Sequence, residues 1–361
     1  MFVRSPDTIL AATVVAATML LHGLPLVPIR VSTMNVRSIA ASITCLRMTS
    51  LTLTSLTLIS LTAISWTAIS LNSASAADPV IRVMVWDEQQ PAQKQAYENF
   101  LGNAIADHLA KQPGLRVISA NIDQPEKGIP AESLDSTDVL VWWGHVRQGE
   151  ISAEKAQDIV ARVKRGQLAL IALHSAHWSA PFMEAMYERT RDDARRRYPD
   201  PVNGPPVAFE FVAPEGRFVP TADSLITPAY YAVRRGPQLT VRVDLPNCVF
   251  PAYRADGKPS TVTVLNRNHP IAQGLPERFE IPQTEMYADP FHVPPADEIL
   301  FEEHWSAGER FRSGQIWKLG KGHVFYFRPG HETFPVYKQE LPLKVISNAV
   351  NWLGTNLRKQ Q

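Results

Sequence analysis

Cysteine is almost absent from this chain: there are two in 361 residues, Cys45 and Cys248. No disulfide framework or thiolate metal cluster can be built from them. Cys45 also lies in a stretch expected to be removed, which leaves Cys248 alone. An excess of charge of either sign is missing too, since 36 Lys and Arg face 35 Asp and Glu. That balance points neither to nucleic acid nor to an acidic solvating tail. Glycine is modest at 18 while proline reaches 29, which predicts long ordered loops. The H-E-x-x-H pattern of metalloproteases and the G-x-S-x-G of hydrolase nucleophile turns are both lacking.

What is present begins with an unusual N-terminus. Residues 50–71, SLTLTSLTLISLTAISWTAISL, form a low-complexity run with a drifting repeat of about five residues and no dependable alternation. Arg47 precedes it and Ala74-Ser75-Ala76-Ala77 comes after it. A positive flank, an apolar stretch and a small-residue site together describe an export signal. The apolar part is longer than usual and about fifty residues precede it, including a second apolar run from Ile9 to Ile29 that reads as another signal or a membrane anchor. In-frame Met34 and Met48 are alternative starts. Residues 1–77 are thus expected to be a cleaved or partly untranslated leader. The folded part is expected over 78–355, in an exported compartment (periplasmic, secreted or envelope-anchored), with membrane contact only through the N-terminus.

From Val80 on, the pattern becomes regular. Val80–Trp86, Leu115–Ala120, Asp138–Trp143 and Leu168–Leu173 are short apolar runs of the kind that become buried parallel strands. Between them, a helix is predicted from Gln93 to Lys111, another from Ala153 to Arg165 with Gly166 as its stop, and a third from Ser179 to Tyr187. Alternation of this kind predicts an α/β fold, with helices on both faces of a mostly parallel sheet. Residues 189–258 break the pattern and read as an inserted excursion, opening on the basic run RTRDDARRRYP, a solvated helix face. Strands return at Thr261–Leu265, Ile299–His304, Ser313–Leu319 and His323–Phe327, and a helix closes the chain at about Leu341–Leu353.

Ligands of open α/β sheets bind beyond the carboxyl ends of the strands. Trp142-Trp143-Gly144-His145 ends the third strand, Leu173-His174-Ser175-Ala176-His177-Trp178 the fourth, and Arg328-Pro329-Gly330-His331-Glu332 the last. Four of the ten histidines therefore fall at three strand ends on one edge. Imidazoles beside a carboxylate suit either general acid–base work or an open divalent-metal site such as zinc. His145, His177 and His331 are the candidate ligands. His174, His177, Glu285, His331 and Glu332 are the candidate catalytic groups. Trp143, Trp178 and Tyr287 offer flat faces to a substrate, and Arg328 either binds an anionic group or fixes a neighbouring Glu. Ser175, between two histidines, is a further nucleophile candidate, though without the usual glycines.

Several stretches together resemble the trehalose-utilisation ThuA-like family: IRVMVWDE at 81–88, DVLVWWGH at 138–145, LIALHSAHWS at 170–179, NRNHPIAQGL at 266–275, EMYADPF at 285–291, RSGQIWKLGKGHVFYFRPGHETFP at 312–335 and NAVNW at 348–352. The resemblance spans roughly 80–187 and 262–353. It implies a flavodoxin-like three-layer α/β/α sandwich similar to class I glutamine amidotransferases. Their nucleophilic cysteine is replaced here by His174 and Ser175, so glutamine hydrolysis is not expected. The family name implies a link to disaccharide use. Together these point to an exported enzyme acting on a small carbohydrate or oxidised (keto) glycoside by hydrolysis, elimination or isomerisation. The alternatives are a glycan-binding module on the same wall and a Ser175 hydrolase.

Overall fold

The computed structural model describes residues 80–359. The expectations for the leader, its cleavage site and the alternative starts lie outside them. Among the described residues no helix is long and apolar enough to cross a membrane.

The first half alternates strand and helix: β1 (Ile81–Asp87), α1 (Leu101–Leu109), β2 (Leu115–Asn121), α2 (Ala131–Asp135), β3 (Val139–Trp143), α3 (Ala153–Arg165), β4 (Ala169–Leu173) and α4 (Ala180–Arg197). The excursion contributes β5 (Ala208–Val212), β6 (Ala229–Arg235), β7 (Gln238–Asp244) and β8 (Ala252–Arg254). The chain then returns through β9 (Ser260–Val264), β10 (Arg278–Ile281), β11 (Met286–Ala288), β12 (Glu298–His304), β13 (Arg310–Leu319) and β14 (Gly322–Phe327) to α5 (Glu340–Arg358).

Nine strands form the central sheet in the order β10-β9-β12-β13-β14-β4-β3-β1-β2. From β14 to β2 every pairing is parallel; β13 and β9 run against their neighbours, so the other seven strands share one direction. Strict alternation along the buried strands sends Val83, Val85, Val141, Ile171 and Phe325 to the layer shared with α1 and α5. Met84, Trp86, Leu140, Leu170 and Val324 face the layer shared with α3 and α4. Each such side chain contributes about 1.5–3 kcal/mol by leaving water. This is the flavodoxin-like three-layer α/β/α sandwich, a mixed sheet covered on both faces.

Local signals set both ends of α3 and the start of α4. The Ser152 hydroxyl accepts from Lys155 N at the start of α3, and Gly166 closes it in the left-handed region at φ 72°. Ser179 caps α4 in the same way, accepting from Phe182 N. The helix expected over Gln93–Lys111 is instead a short 3-10 turn, Pro91–Gln95, and then α1 from Leu101. The buried Asp87 carboxylate accepts from Gly102 N at 2.8 Å and the Gln93 side chain from Leu101 N at 2.7 Å. These two acceptors satisfy donors of a first helical turn at that point, and Phe100 just before it stands at φ 62°.

The basic run at 189–197 is helical and belongs to α4. Arg189 is buried and paired with Asp193 and Asp297, and Arg191 pairs with Glu184 and Glu188. Beyond it the excursion folds into a small three-stranded sheet, β5-β7-β6, around Ala194, Val241 and Val243. A separate two-stranded pairing of β8 with β11 ties the end of the excursion to the main body.

Candidate functional site

The carboxyl ends of β3, β4 and β14 converge on one edge of the sheet, and the segment leading into β11 brings Glu285 to the same place. A cavity of about 140 Å³ opens there. Its polar side carries His145, Gln148, Ser175, His177 and Glu285. Its apolar side carries Trp178, Tyr287 and, from the excursion, Val219, Val249, Phe250 and Tyr253.

His174 is the residue at which β4 turns away from the sheet. It is wholly buried and holds the left-handed backbone conformation, φ 51°, rare for a side chain other than glycine. Its carbonyl accepts from the Tyr326 hydroxyl at 2.8 Å, and its Nδ1 lies 3.0 Å from the Arg328 carbonyl. A carbonyl only accepts, so Nδ1 carries a proton. Nε2 then faces Glu285 Oε2 at 3.0 Å and the Tyr287 hydroxyl at 3.2 Å. Two lone pairs would repel at that separation, so the His174–Glu285 contact must hold one proton. Burial works to raise the Glu285 carboxyl, but the hydrogen bond and positive charge of His174 outweigh it and hold the group below its ordinary value. Gly330 is the neighbour that makes room: a Cβ there would stand 2.6 Å from His174 Cβ.

His145 Nδ1 lies 3.0 and 3.1 Å from the two oxygens of the buried Glu332. Burial opposes the charge on His145, while the bond to Glu332 and the charges of Glu332, Glu285 and Glu88 overcome that and raise the imidazole above its ordinary value. Glu332, resisted by burial but held by His145, falls to about 2. His331 stands beside both pairs, its ring 6.3 Å from that of His145 and 5.9 Å from that of His174. Thr333 N donates to its Nδ1, and burial together with the charge of His174 lowers the group.

His177 differs from all of these. Its Nδ1 donates to the Cys248 carbonyl at 2.6 Å, its Nε2 has no protein partner among the described residues, and burial drives it down to about 3. It is a neutral ring at pH 7 with a lone pair to offer. The same return of the excursion fixes Trp178, whose indole N–H donates to the Asn247 carbonyl at 3.0 Å.

Two expected substrate contacts are not at the cavity. Trp143 is the last residue of a strand buried on both faces, and the pleat places it in the core on the α1/α5 side. Arg328 is fully buried. Its guanidinium binds Glu303, Thr284 Oγ1 and the Glu285 carbonyl, so it anchors the segment carrying Glu285 and does not line the cavity. The Ser175 hydroxyl donates to the Gly144 carbonyl at 3.0 Å and has no base on it among the described residues. Among the described residues no three His, Cys, Asp or Glu side chains are placed to hold a metal ion. The Nδ1 atoms of His145, His177 and His331 are engaged by Glu332, the Cys248 carbonyl and Thr333. That leaves their Nε2 atoms as the ring nitrogens a cation would meet.

Two functional positions are not evident in the sequence. Glu88 is fully buried, and its two oxygens accept from Val146 N at 2.8 Å and Arg147 N at 2.9 Å, clamping the turn that carries His145. Its signal is the Asp87-Glu88 pair ending an apolar strand. Gln148 bridges the two histidine turns through the Ser175 carbonyl at 3.0 Å and the His145 carbonyl at 3.3 Å. Nothing in its own stretch of sequence marks it.

Fold and edge together define a flavodoxin-like α/β protein with a His/Glu cavity at the carboxyl ends of its strands. Residues 82–353 match the ThuA family, described as trehalose utilisation, and the chain belongs to that family. No curated relative matches it. Among solved structures, a ThuA-like protein from Bacteroides uniformis is similar at 14% identity and a TM-score of 0.47, over 78% of this chain and 94% of that one. A ThuA-like protein from Parabacteroides merdae is similar at 13% and 0.46, over 77% and 90%.

Proposed function

We propose that the chain is an exported carbohydrate-active enzyme that works on a sugar or oxidised (keto) glycoside by His/Glu acid–base chemistry. One observation supports this most: two proton-sharing His–Glu pairs, His174–Glu285 and His145–Glu332, are built from separate elements, and Glu285 and His145 both line one small cavity. A carboxylate that keeps its charge and an imidazole that keeps its proton are a base and an acid set apart by their surroundings.

On a keto glycoside the roles come from bond chemistry. Glu285 takes the proton from the carbon between the ketone and the anomeric centre, whose C–H the ketone has acidified. The electron pair moves to form a C=C bond as the anomeric C–O bond breaks. His145 gives its proton to the departing oxygen, leaving an unsaturated keto sugar and an alcohol. His177 Nε2 accepts from a ring hydroxyl, and Trp178 and Phe250 cover the apolar face of the ring. The family membership and the leader sequence support the substrate class and the export.

Full-length protein is incubated with a 3-keto disaccharide and the released sugar measured. Glu285→Gln and His145→Gln should each abolish release while the disaccharide still binds. Binding without turnover by the unaltered protein would instead favour the glycan-binding module, for which the wall of Trp178, Phe250 and Tyr287 is sufficient.

A further inference from the structure

A second groove, of about 370 Å³, lies between α5 and the 3-10 turn at Pro270–Ala272. Trp352 and Pro270 give it two rigid ring surfaces, and Gln273, Asn351, Thr355 and Asn356 surround them. No carboxylate lines it among the described residues, and Lys359 is its one charge there. We propose that this groove is a binding site for a neutral carbohydrate, a pyranose ring laid on Trp352 and held by the amides around it.

Three features of the groove support it. The first is the composition of the helix face. Positions 348, 351, 352, 355 and 356 fall on one side of α5, and four of them are Asn or Thr. These residues form helices poorly, and Lys, Glu, Gln or Ala would serve an exposed helix face better. The second is that only Asn348 has structural employment, its amide donating to the Ile271 and Gln273 carbonyls. The side chains of Asn351, Thr355 and Asn356 make no hydrogen bond to the described residues, so their donors and acceptors are free to pair with hydroxyls, which also both give and accept. The third is the support under Trp352. His269 packs against it with ring centroids 4.7 Å apart and His323 at 5.2 Å, so the indole is held in place while still partly exposed. A fixed aromatic face beside uncharged amides matches a ring with an apolar C–H face and an equatorial fringe of hydroxyls. An anionic sugar would want more than one lysine.

The site is separate from the strand-end cavity and does not depend on the reaction proposed for it. Ligand-observed saturation-transfer NMR on the full-length protein, with cellobiose and maltose as probes, tests it. Both groove variants are made on Trp178→Ala, which strips the strand-end cavity. The expected result is transfer to at least one disaccharide that persists in Trp178→Ala and is lost when Trp352→Ala is added to it. Trp352 also packs on the core, so Asn351→Ala/Asn356→Ala is the second variant. It leaves the core untouched, should fold at least as stably, and should also lose the signal. No transfer to either sugar would overturn the proposal. So would a signal that survives the double Asn variant, or one that vanishes in Trp178→Ala alone.

Discussion

Removing the Arg328 guanidinium by Arg328→Met should be among the most damaging single changes in the chain. The side chain and its partner Glu303 are both wholly buried. Beyond Glu303, the guanidinium holds Thr284 Oγ1 at 3.0 Å and the Glu285 carbonyl, and it lies over the Trp305 ring at 5.1 Å. After the substitution Glu303 keeps, among the described residues, only the Ser260 hydroxyl. Its carboxyl, already raised by burial with the cation present, has lost the charge that opposed that shift. Breaking a buried pair from one side costs about 3–5 kcal/mol, which for a domain of this size lowers Tm by roughly 10 °C. Replacing both partners, Arg328→Met with Glu303→Leu, removes the stranded charge and should recover most of the loss. Calorimetry or urea titration of the three variants reads both effects. A single variant within about 1 kcal/mol of the original protein, or a double variant no better than the single, would refute the reasoning.

Other consequences are as direct. Gly330→Ala forces a Cβ to within 2.6 Å of His174 Cβ and should cost about 1–3 kcal/mol in a denaturant titration, with loss of turnover as His174 leaves Glu285. His177 sits near 3 when folded and returns to 6.5 when unfolded, so the unfolded chain binds one more proton between those values. Stability should therefore fall as pH drops from 6.5 toward 3, by up to about 1.4 kcal/mol per pH unit from this ring alone, and His177→Gln should flatten that slope by one proton. Because the proposed chemistry runs on His and Glu protons alone, turnover should withstand chelators. Stoichiometric zinc in protein purified without a His tag, lost on His177→Ala, would contradict it.

The sequence exposed the strands well because parallel strands covered on both faces must be apolar at nearly every position, as in VLVWW and LIAL. It marked the histidine edge for the same reason: a strand whose direction and end are known also locates the turn at its carboxyl end. It did not reveal contacts between distant segments. Asp87 and Gln93 satisfy the first turn of α1 from fifteen and eight residues away, and no local pattern announces that. Trp143 and Trp178 look alike as aromatics beside histidines, yet the pleat of β3 buries the first and the loop after β4 presents the second. Arg328 left two readings open, a ligand contact or a brace for a Glu, because its partner Glu303 lies on another strand. The three-stranded sheet of the excursion was invisible because its strands, though as long as those of the main sheet, are half-exposed, β6 most of all, and so lack the apolar runs that marked the rest.

The groups proposed to move protons and the surfaces that would judge the substrate belong to different stretches of chain. His145, His174 and Glu332 hang from the ends of sheet strands, whereas Val219, Val249, Phe250 and Tyr253 arrive on the excursion. Such a division lets one stretch drift while the other stays fixed. A protein of this build can change its diet by rewriting residues 198–259, and the reactive edge need not be rebuilt each time.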